Sequence, residues 1–246
     1  MPLHPQPSPD RGPRPAGARI DILLLHYTGM RNRDEALARL CDPAAEVSAH
    51  YLIDEDGAAL LLVEEEARAW HAGVSCWAGD SDVNSRSIGI ELVNPGHEFG
   101  YRPFPDAQID ALTVLSREIL ARHQIPPARV LGHSDVAPAR KQDPGELFPW
   151  ERLARSGIGL WPGEAAFDPE AEIHEMGASG PGISAFQNAL VRYGYGLTPS
   201  GRHDEESVGV LHAFQRHFRP ASIDGRIDPQ CRAILGALLA CAAQEH

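Results

Sequence analysis

The chain has 246 residues, of which 43% are hydrophobic and 23% are charged. This composition is typical of a globular protein and excludes a disordered or fibrous one. The 22 Lys and Arg residues against 34 Asp and Glu residues give a formal net charge of −12 at pH 7. Because phosphate binding requires clustered cations, this balance argues against nucleic acid or an anionic membrane as the main partner. The length predicts two domains of unequal size.

The first segment, residues 1–19, is rich in Pro and Arg and contains no apolar run. It therefore has no hydrophobic core of a secretory signal peptide, and we interpret it as a Pro-rich leader. No later window approaches the roughly 18 uninterrupted apolar residues of a membrane-spanning helix. Cys41, Cys76, Cys231 and Cys241 form no C-x-x-C pair. We predict isolated thiols, with two disulfides as the alternative.

Short apolar runs alternate with amphipathic stretches over residues 20–156. This pattern predicts an α/β catalytic domain with a mixed β-sheet flanked by helices. Turn residues between two apolar runs also predict a hairpin. The predicted elements are strands at Ile20–Leu25, Ser87–Val93 and Arg129–Gly132, a hairpin at His50–Val63 around Asp56-Gly57, and helices that begin near Asn32 and Pro105.

Residues 157–180 are rich in Gly, Pro and Glu and predict a linker. Over residues 181–246 the apolar residues recur at helical spacing, which predicts a small three-helix C-terminal domain. The apolar stripes are Ile183, Phe186 and Leu190, then Val208, Leu211, Phe214 and Phe218, then Cys231, Ile234, Leu235 and Leu238.

Three residues of the kinds that bind zinc lie beside predicted strand ends or a tight turn. His26 follows the first strand, His133 follows the strand that ends at Gly132, and Asp143 precedes Pro144. Two imidazoles and a carboxylate, with a fourth position left to water, form the ligand set of a catalytic zinc ion. Taken singly, each histidine also fits a turn or surface position, and Asp143 fits a turn former.

These residues lie in stretches that resemble the AmpD-type zinc N-acetylmuramoyl-L-alanine amidases, and most closely the AmiD-like branch with an added C-terminal module. The stretches occur in family order and cover roughly residues 20–150. They are LHYT at 25–28, SAHYLI at 48–53, AWHAG at 69–73, Asn84 with SIGIEL at 87–92, GHSD at 132–135 and KQDPG at 141–145. The resemblance implies the amidase fold, one zinc ion on His26, His133 and Asp143, and Glu91 and Lys141 as catalytic side chains.

General chemistry gives these side chains consistent roles. A bound zinc ion lowers the pKa of its water to around 7, which provides a nucleophile at neutral pH. Glu91, at the end of an alternating strand, is placed to accept the proton of the water and return it to the leaving amine. Lys141, on the loop of Asp143, can stabilise the tetrahedral oxyanion. The alternatives are a solvent-facing strand position for Glu91 and a solvated loop position for Lys141.

Aromatic, imidazole and amide side chains in the same stretches are predicted to contact the substrate, since a ring can pack on a sugar and amides give directed hydrogen bonds. His50 also fits a structural group behind the metal ligands, and Trp70 with His71 fits a partly buried structural pair. The predicted substrate-binding residues are His50, Trp70, His71 and Asn84, with Trp77 and Phe104 as further cleft candidates.

The C-terminal region resembles the three-helix peptidoglycan-binding domain. The resemblance lies in the Phe-Gln pairs at 186–187 and 214–215, in Gly194-Tyr195-Gly196, and in IDGRID at 223–228. Cys231 stands where that family usually has Thr, and this departure leaves the helical register intact. Such a module raises the effective concentration of an active site on a polymer. A helical packing or dimerisation element is the alternative.

We therefore expect hydrolysis of the amide bond between N-acetylmuramoyl, or its 1,6-anhydro form, and L-alanine in peptidoglycan or muropeptides. The alternative is a non-catalytic peptidoglycan-recognition protein on the same fold, although such proteins typically lack one of the ligands. No obligatory protein partner is evident. The missing export signal predicts a cytoplasmic protein, whereas a wall-binding module favours the periplasm or cell envelope.

Overall fold

The computed structural model describes residues 2–163 and 165–243. Its strands are β1 (Leu3–Pro5), β2 (Arg11–Pro13), β3 (Ile22–Tyr27), β4 (Tyr51–Ile53), β5 (Ala59–Leu61), β6 (Ala67–Ala69), β7 (Ser87–Leu92) and β8 (Val130–Gly132). Six of them form one mixed sheet in the order β1-β5-β4-β7-β3-β8, and β2 pairs with β6. The neighbours β4, β7, β3 and β8 are parallel, whereas β5 is antiparallel to β4. The predicted mixed sheet is confirmed.

The helices flank this sheet and continue into the C-terminal region. They are α1 (Arg33–Leu40), α2 (Val83–Arg86), α3 (Gly96–Phe99), α4 (Asp106–His123), α5 (His133–Val136), α6 (Trp150–Arg155), α7 (Pro181–Tyr193), α8 (Glu205–Phe218) and α9 (Pro229–Ala242), with a 3₁₀ turn at Pro127–Arg129. Among the described helices, none combines the length and the apolar character that crossing a bilayer requires.

Strand β3 is buried on both faces, as parallel strands with covered faces are. Leu23 and Leu25 pack in the core that includes α4. Ile22 and Leu24, which point to the opposite face, pack in the core that includes the C-terminal helices α7, α8 and α9. The sheet is therefore the shared layer between α4 on one side and the C-terminal helices on the other.

The end of β3 differs from the predicted strand end at Leu25. Parallel pairing with β7 continues through His26↔Glu91 to Tyr27↔Leu92. His26 therefore lies inside the strand and does not follow it. Since paired positions in a parallel ladder share a face, the register places the side chains of His26 and Glu91 side by side.

Two predicted cleft residues lie in cores. Trp77 is only 2% exposed and packs edge-on against Tyr195, with ring centroids 5.0 Å apart. Phe104 packs edge-on against Phe148 at 5.3 Å. The prediction of Trp77 and Phe104 as cleft residues was wrong, because an aromatic residue beside a motif fits a core position as well as a binding position.

The described part of the Pro-rich N-terminal segment is built into the fold. Strand β1 pairs with β5 at the edge of the sheet, where a missing proline N–H costs no ladder hydrogen bond. The Arg14 guanidinium donates hydrogen bonds of 2.9–3.1 Å to the backbone carbonyls of Glu65, Asn84, Ser85 and Ser87. The N-terminal segment thus connects Glu65 with α2 and with the first residue of β7.

We expect Arg14→Ala to lower the free energy of unfolding by about 2–3 kcal/mol, because it leaves carbonyls without their charged donor. Urea denaturation measures the change. The matched control is Arg11→Ala, since Arg11 is exposed and its loss should cost less than about 0.5 kcal/mol. Equal effects of the two substitutions would contradict this role of Arg14.

Candidate metal centre and catalytic cleft

Three predicted ligands meet at the carboxyl end of the sheet. The Nδ1 atoms of His26 and His133 lie 2.9 Å apart, and Asp143 Oδ2 lies 3.1 Å from each of them. All three side chains are buried. Within the described part of the chain, they form the one group of His, Cys, Asp or Glu residues whose geometry could hold a metal ion.

The topology explains why these residues meet. His26 lies near the end of β3, and His133 begins α5 directly after β8. Because β3 and β8 are parallel neighbours, their carboxyl ends lie at one edge of the sheet. The loop of Asp143 is tied to this edge by a 2.9 Å hydrogen bond from Ser134 N–H to the Asp143 carbonyl.

The second nitrogen of each candidate ligand histidine has a partner. His133 Nε2 lies 3.0 Å from the Ala72 carbonyl. A carbonyl only accepts, so Nε2 carries the proton and Nδ1 presents a lone pair to the cluster. His26 Nε2 lies 3.1 Å from His71 Nδ1, and His71 Nε2 lies 3.4 Å from Ser87 Oγ. Metal-ligating histidines usually have such outer partners, which fix the tautomer and the ring orientation.

His71 occupies space that depends on a glycine in β7. A Cβ atom at Gly89 would lie 2.5 Å from His71 Cγ, closer than any real contact. Glycine at this position of the SIGIEL motif therefore makes room for the ring that supports His26.

The ionisation of the cluster also fits a cation. Burial, followed by the charge of His133, lowers the pKa of His26 to about 4. Burial would raise the pKa of Asp143, but the adjacent imidazoles of His133 and His26 hold it well below its usual range. A neutral imidazole and an ionised carboxylate are the forms that bind metal ions. These residues fit a metal ion.

A cavity of about 430 Å³ opens beside the cluster. Glu91 and Lys141 both line it, together with His71, His133 and Asp143. Glu91 Oε2 is buried and has no hydrogen-bond partner. Burial, and then the charge of Asp143, raise the pKa of Glu91 to about 8. The cavity thus contains a carboxyl group that can exchange a proton near neutral pH and a cation on the metal-ligand loop.

Of the four predicted substrate-binding residues, His71 alone lines this cavity in the described structure. His50 is fully buried, and its Nδ1 accepts a 3.0 Å hydrogen bond from Gly89 N–H. Asn84 Oδ1 accepts hydrogen bonds from the backbone N–H groups of His71 and Ala72. In the structure, His50 and Asn84 therefore bind backbone N–H groups behind the cleft.

Trp70, the remaining predicted contact, is partly buried. Its indole lies near β2, where a Cβ atom at Gly12 would be 3.7 Å from Trp70 Nε1. The N-terminal segment therefore packs on this tryptophan. Its contact with substrate stays a prediction.

Sequence reasoning missed a cluster of ring side chains on the cavity rim. Tyr27 Oη lies 2.9 Å from His97 Nδ1, and the His97 ring stacks on Tyr101 at 4.4 Å. His97 Nε2 lies 3.1 Å from Glu146 Oε2. Tyr27 directly follows the candidate ligand His26 in the sequence, so its place near the site could have been predicted. His97 and Glu146 meet only through the tertiary fold.

Comparisons with known proteins agree with this geometry. Residues 16–146 match the family model described as N-acetylmuramoyl-L-alanine amidase, and residues 179–235 match the peptidoglycan binding domain. AmiD of Escherichia coli, named an N-acetylmuramoyl-L-alanine amidase, is 40% identical over 237 residues, which cover 90% of this chain and 83% of that protein. The chain belongs to the N-acetylmuramoyl-L-alanine amidase family.

Other relatives of this amidase agree. The 1,6-anhydro-N-acetylmuramyl-L-alanine amidase AmpD of Haemophilus influenzae is 35% identical, over 61% of this chain and 89% of that protein. The solved complex of Escherichia coli AmiD has a TM-score of 0.78 and 37% identity, covering 94% of this chain and 93% of that one. AmpDh3 of Pseudomonas aeruginosa has a TM-score of 0.78 and 36% identity, covering 93% and 94%. The predicted family and fold are confirmed, and catalysis is favoured over recognition alone.

We expect His71→Leu to weaken divalent-metal binding by the amidase about 10–100-fold, because His26 loses the partner that fixes its tautomer and orientation. Competition with a chromophoric chelator measures the affinity. His123→Leu is the control, since His123 pairs with Glu65, and it should leave the affinity unchanged. An unaltered affinity in His71→Leu would contradict the assignment of His71.

The raised pKa of Glu91 gives the metal-free amidase a pH-dependent stability. The folded state holds a proton with a pKa of about 8, whereas the ordinary value is 4.5. The stabilisation of the folded state by this bound proton is fully present below about pH 4.5 and is lost as the pH rises through about 8. Because the carboxyl partly faces the cavity, solvent screens the effect to about 1–2 kcal/mol.

The side chain at position 91 cannot ionise in Glu91→Gln. Between pH 5 and pH 8, the unfolding free energy of the metal-free wild type should therefore fall by about 1–2 kcal/mol more than that of Glu91→Gln. Urea denaturation at both pH values measures the difference. The other titrating groups are common to both proteins and cancel. Parallel pH dependence of the two proteins would show that Glu91 titrates normally.

Proposed function

We propose that this amidase uses one zinc ion, held by His26, His133 and Asp143, to hydrolyse the amide bond between the lactyl group of N-acetylmuramic acid and L-alanine. The substrate class is muropeptides and peptidoglycan, including 1,6-anhydro forms. The observation that carries the proposal is the complete His-His-Asp cluster opening into a cavity that also contains Glu91 and Lys141.

The names of the relatives support this substrate class. The solved complex of Escherichia coli AmiD contains the substrate anhydro-N-acetylmuramic acid-L-Ala-D-γ-Glu-L-Lys. The related AmpD proteins are named for the 1,6-anhydro-muramyl group. We infer that this chain accepts a muramyl peptide of the same kind.

Zinc suits the donor set because it takes two imidazole nitrogens and one carboxylate oxygen, and catalytic zinc sites keep one position open. When bound, zinc polarises the amide carbonyl and makes a water molecule acidic enough to attack at neutral pH. His133 and Asp143 line the cavity, so a zinc ion held by these residues would act at the cavity wall.

Glu91 serves as the general base and then the general acid. It accepts the proton of the attacking water and returns it to the L-alanine nitrogen, which leaves as an amine. The parallel register beside His26 fixes its position. Burial and the charge of Asp143 raise the pKa of Glu91, and the charge of Lys141 opposes this rise.

Lys141 also supplies positive charge to the oxygen that becomes negative when the amide carbon turns tetrahedral. It is two residues from Asp143 on one loop, so the same loop geometry sets both side chains. The C-terminal helices, which match the peptidoglycan binding domain, would retain the enzyme on polymeric substrate.

Purified protein should release a peptide with a free N-terminal alanine from anhydro-N-acetylmuramyl-tripeptide, detected by mass spectrometry. A chelator should abolish the release and stoichiometric zinc should restore it. Glu91→Gln should lower kcat about 10²–10⁴-fold with zinc content retained. Glu170→Gln, in the exposed linker, is the matched control with unchanged kcat.

Absence of metal-dependent release from wild-type protein would overturn the proposal and leave a recognition protein. Full kcat in Glu91→Gln would remove Glu91 from the mechanism without removing the metal. The cellular compartment stays a prediction, which fractionation of the native host tests.

A further inference from the structure

Asp135 connects the metal centre with the C-terminal helices. It lies two residues after His133 in α5 and is fully buried. Its Oδ2 accepts hydrogen bonds from Gly132 N–H at 2.8 Å and from His217 Nδ1 at 2.7 Å. Its Oδ1 accepts a 2.7 Å hydrogen bond from Tyr195 Oη. Two of these three donors therefore belong to the C-terminal domain, defined here as residues 181–243.

The two donors from the C-terminal domain are themselves fixed. The His217 ring is stacked between Trp150, with centroids 3.7 Å apart, and Phe218, at 3.8 Å. Tyr195 is 2% exposed and packs against Trp77. The surrounding packing therefore restricts the movement of both donors.

The residue before α5 is also closely packed. A Cβ atom at Gly132 would lie 2.7 Å from Pro144 Cδ and 3.3 Å from Trp150 Cζ2. The residue before His133 thus sits against the loop of Asp143 and against the ring that stacks on His217. A shift of α5 would change the separation of the metal ligands directly.

Helix α5 cannot hold this position by itself. It consists of a single turn, His133–Val136, and such a short helix has no independent stability. A buried carboxylate without donors costs several kcal/mol, so Asp135 stays buried only where donors meet it. The donors that Tyr195 and His217 supply therefore contribute to the orientation of α5, and with it to that of His133.

We propose that Asp135 is a positioning residue through which Tyr195 and His217 of the C-terminal domain hold the metal ligand His133 in place. The C-terminal domain then forms part of the scaffold of the metal centre and is more than a tether to polymer. This inference rests on the proposed function, because it takes His133 as a zinc ligand.

The test uses the full chain with the double variant Tyr195→Phe/His217→Leu, which removes both donors. Zinc affinity is measured by chelator competition, and kcat and KM are measured on a small soluble muropeptide, so that retention on polymer plays no part. We expect zinc affinity to fall about 10–100-fold, as when outer partners of metal ligands are lost. The absorption spectrum of the cobalt-substituted protein should change because the ligand geometry changes.

Two further variants separate positioning from general stability. The single variant His217→Asn, with Tyr195 retained, places an amide N–H where the imidazole Nδ1–H was. Its zinc affinity should be close to that of the wild type. His203→Leu is the matched control: His203 is also fully buried in the C-terminal domain, but its partners are Ser207 and the Gly225 carbonyl. This control should keep wild-type zinc affinity and cobalt spectrum.

A folded double variant with wild-type zinc affinity and spectrum would overturn the inference, as would an equal loss of affinity in His203→Leu. If the double variant does not fold, Tyr195→Phe alone decides, since it removes one oxygen and should still weaken zinc binding several-fold. Failure of wild-type protein to bind zinc would instead contradict the proposed function, so the two failures are distinguishable.

Discussion

Parallel pairing of β3 with β7 and β8 is the constraint on which the candidate site depends. Because the three strands run in the same direction, their carboxyl ends bring His26, Glu91 and His133 to one edge of the sheet. A one-residue shift of β3 would turn each of its side chains to the opposite face, so that the apolar residues would lose their packing and His26 would leave the face it shares with Glu91. The free energy that stabilises the hydrophobic core therefore also fixes the distance between the proposed metal ligand His26 and the proposed base Glu91.

Behind this edge, buried polar groups form a second layer that the apolar core cannot provide. His71 supports His26 and fits beneath Gly89, while His50 binds the same segment of β7 through its backbone. Arg14 of the N-terminal segment also belongs to this layer, because its guanidinium donates hydrogen bonds to four backbone carbonyls. Buried polar groups are stable only when every partner is present, and so distant parts of the chain are needed to orient one imidazole.

The C-terminal helices pack against the sheet and share an apolar core with it. Ile22 and Leu24 of β3 pack in the same apolar cluster as Phe214 and Leu235. A domain that packs on one face of the sheet that carries the site has a fixed orientation relative to the cleft. Contact with polymer by these helices would therefore present the substrate to the cavity in a restricted set of orientations.

The sequence alone indicated the family, because its motifs resemble those of known amidases, and the mixed sheet, because apolar runs and turn residues are local properties. It also identified the three residues that could hold a metal ion. It did not determine which polar residues face the cavity and which face away. His50, Asn84 and Trp77 stand beside site residues in the chain, yet the structure places them behind the cleft or between domains. Only the tertiary structure decided this, since the side of the sheet or loop on which a side chain lies depends on strand register and on packing between segments far apart in sequence.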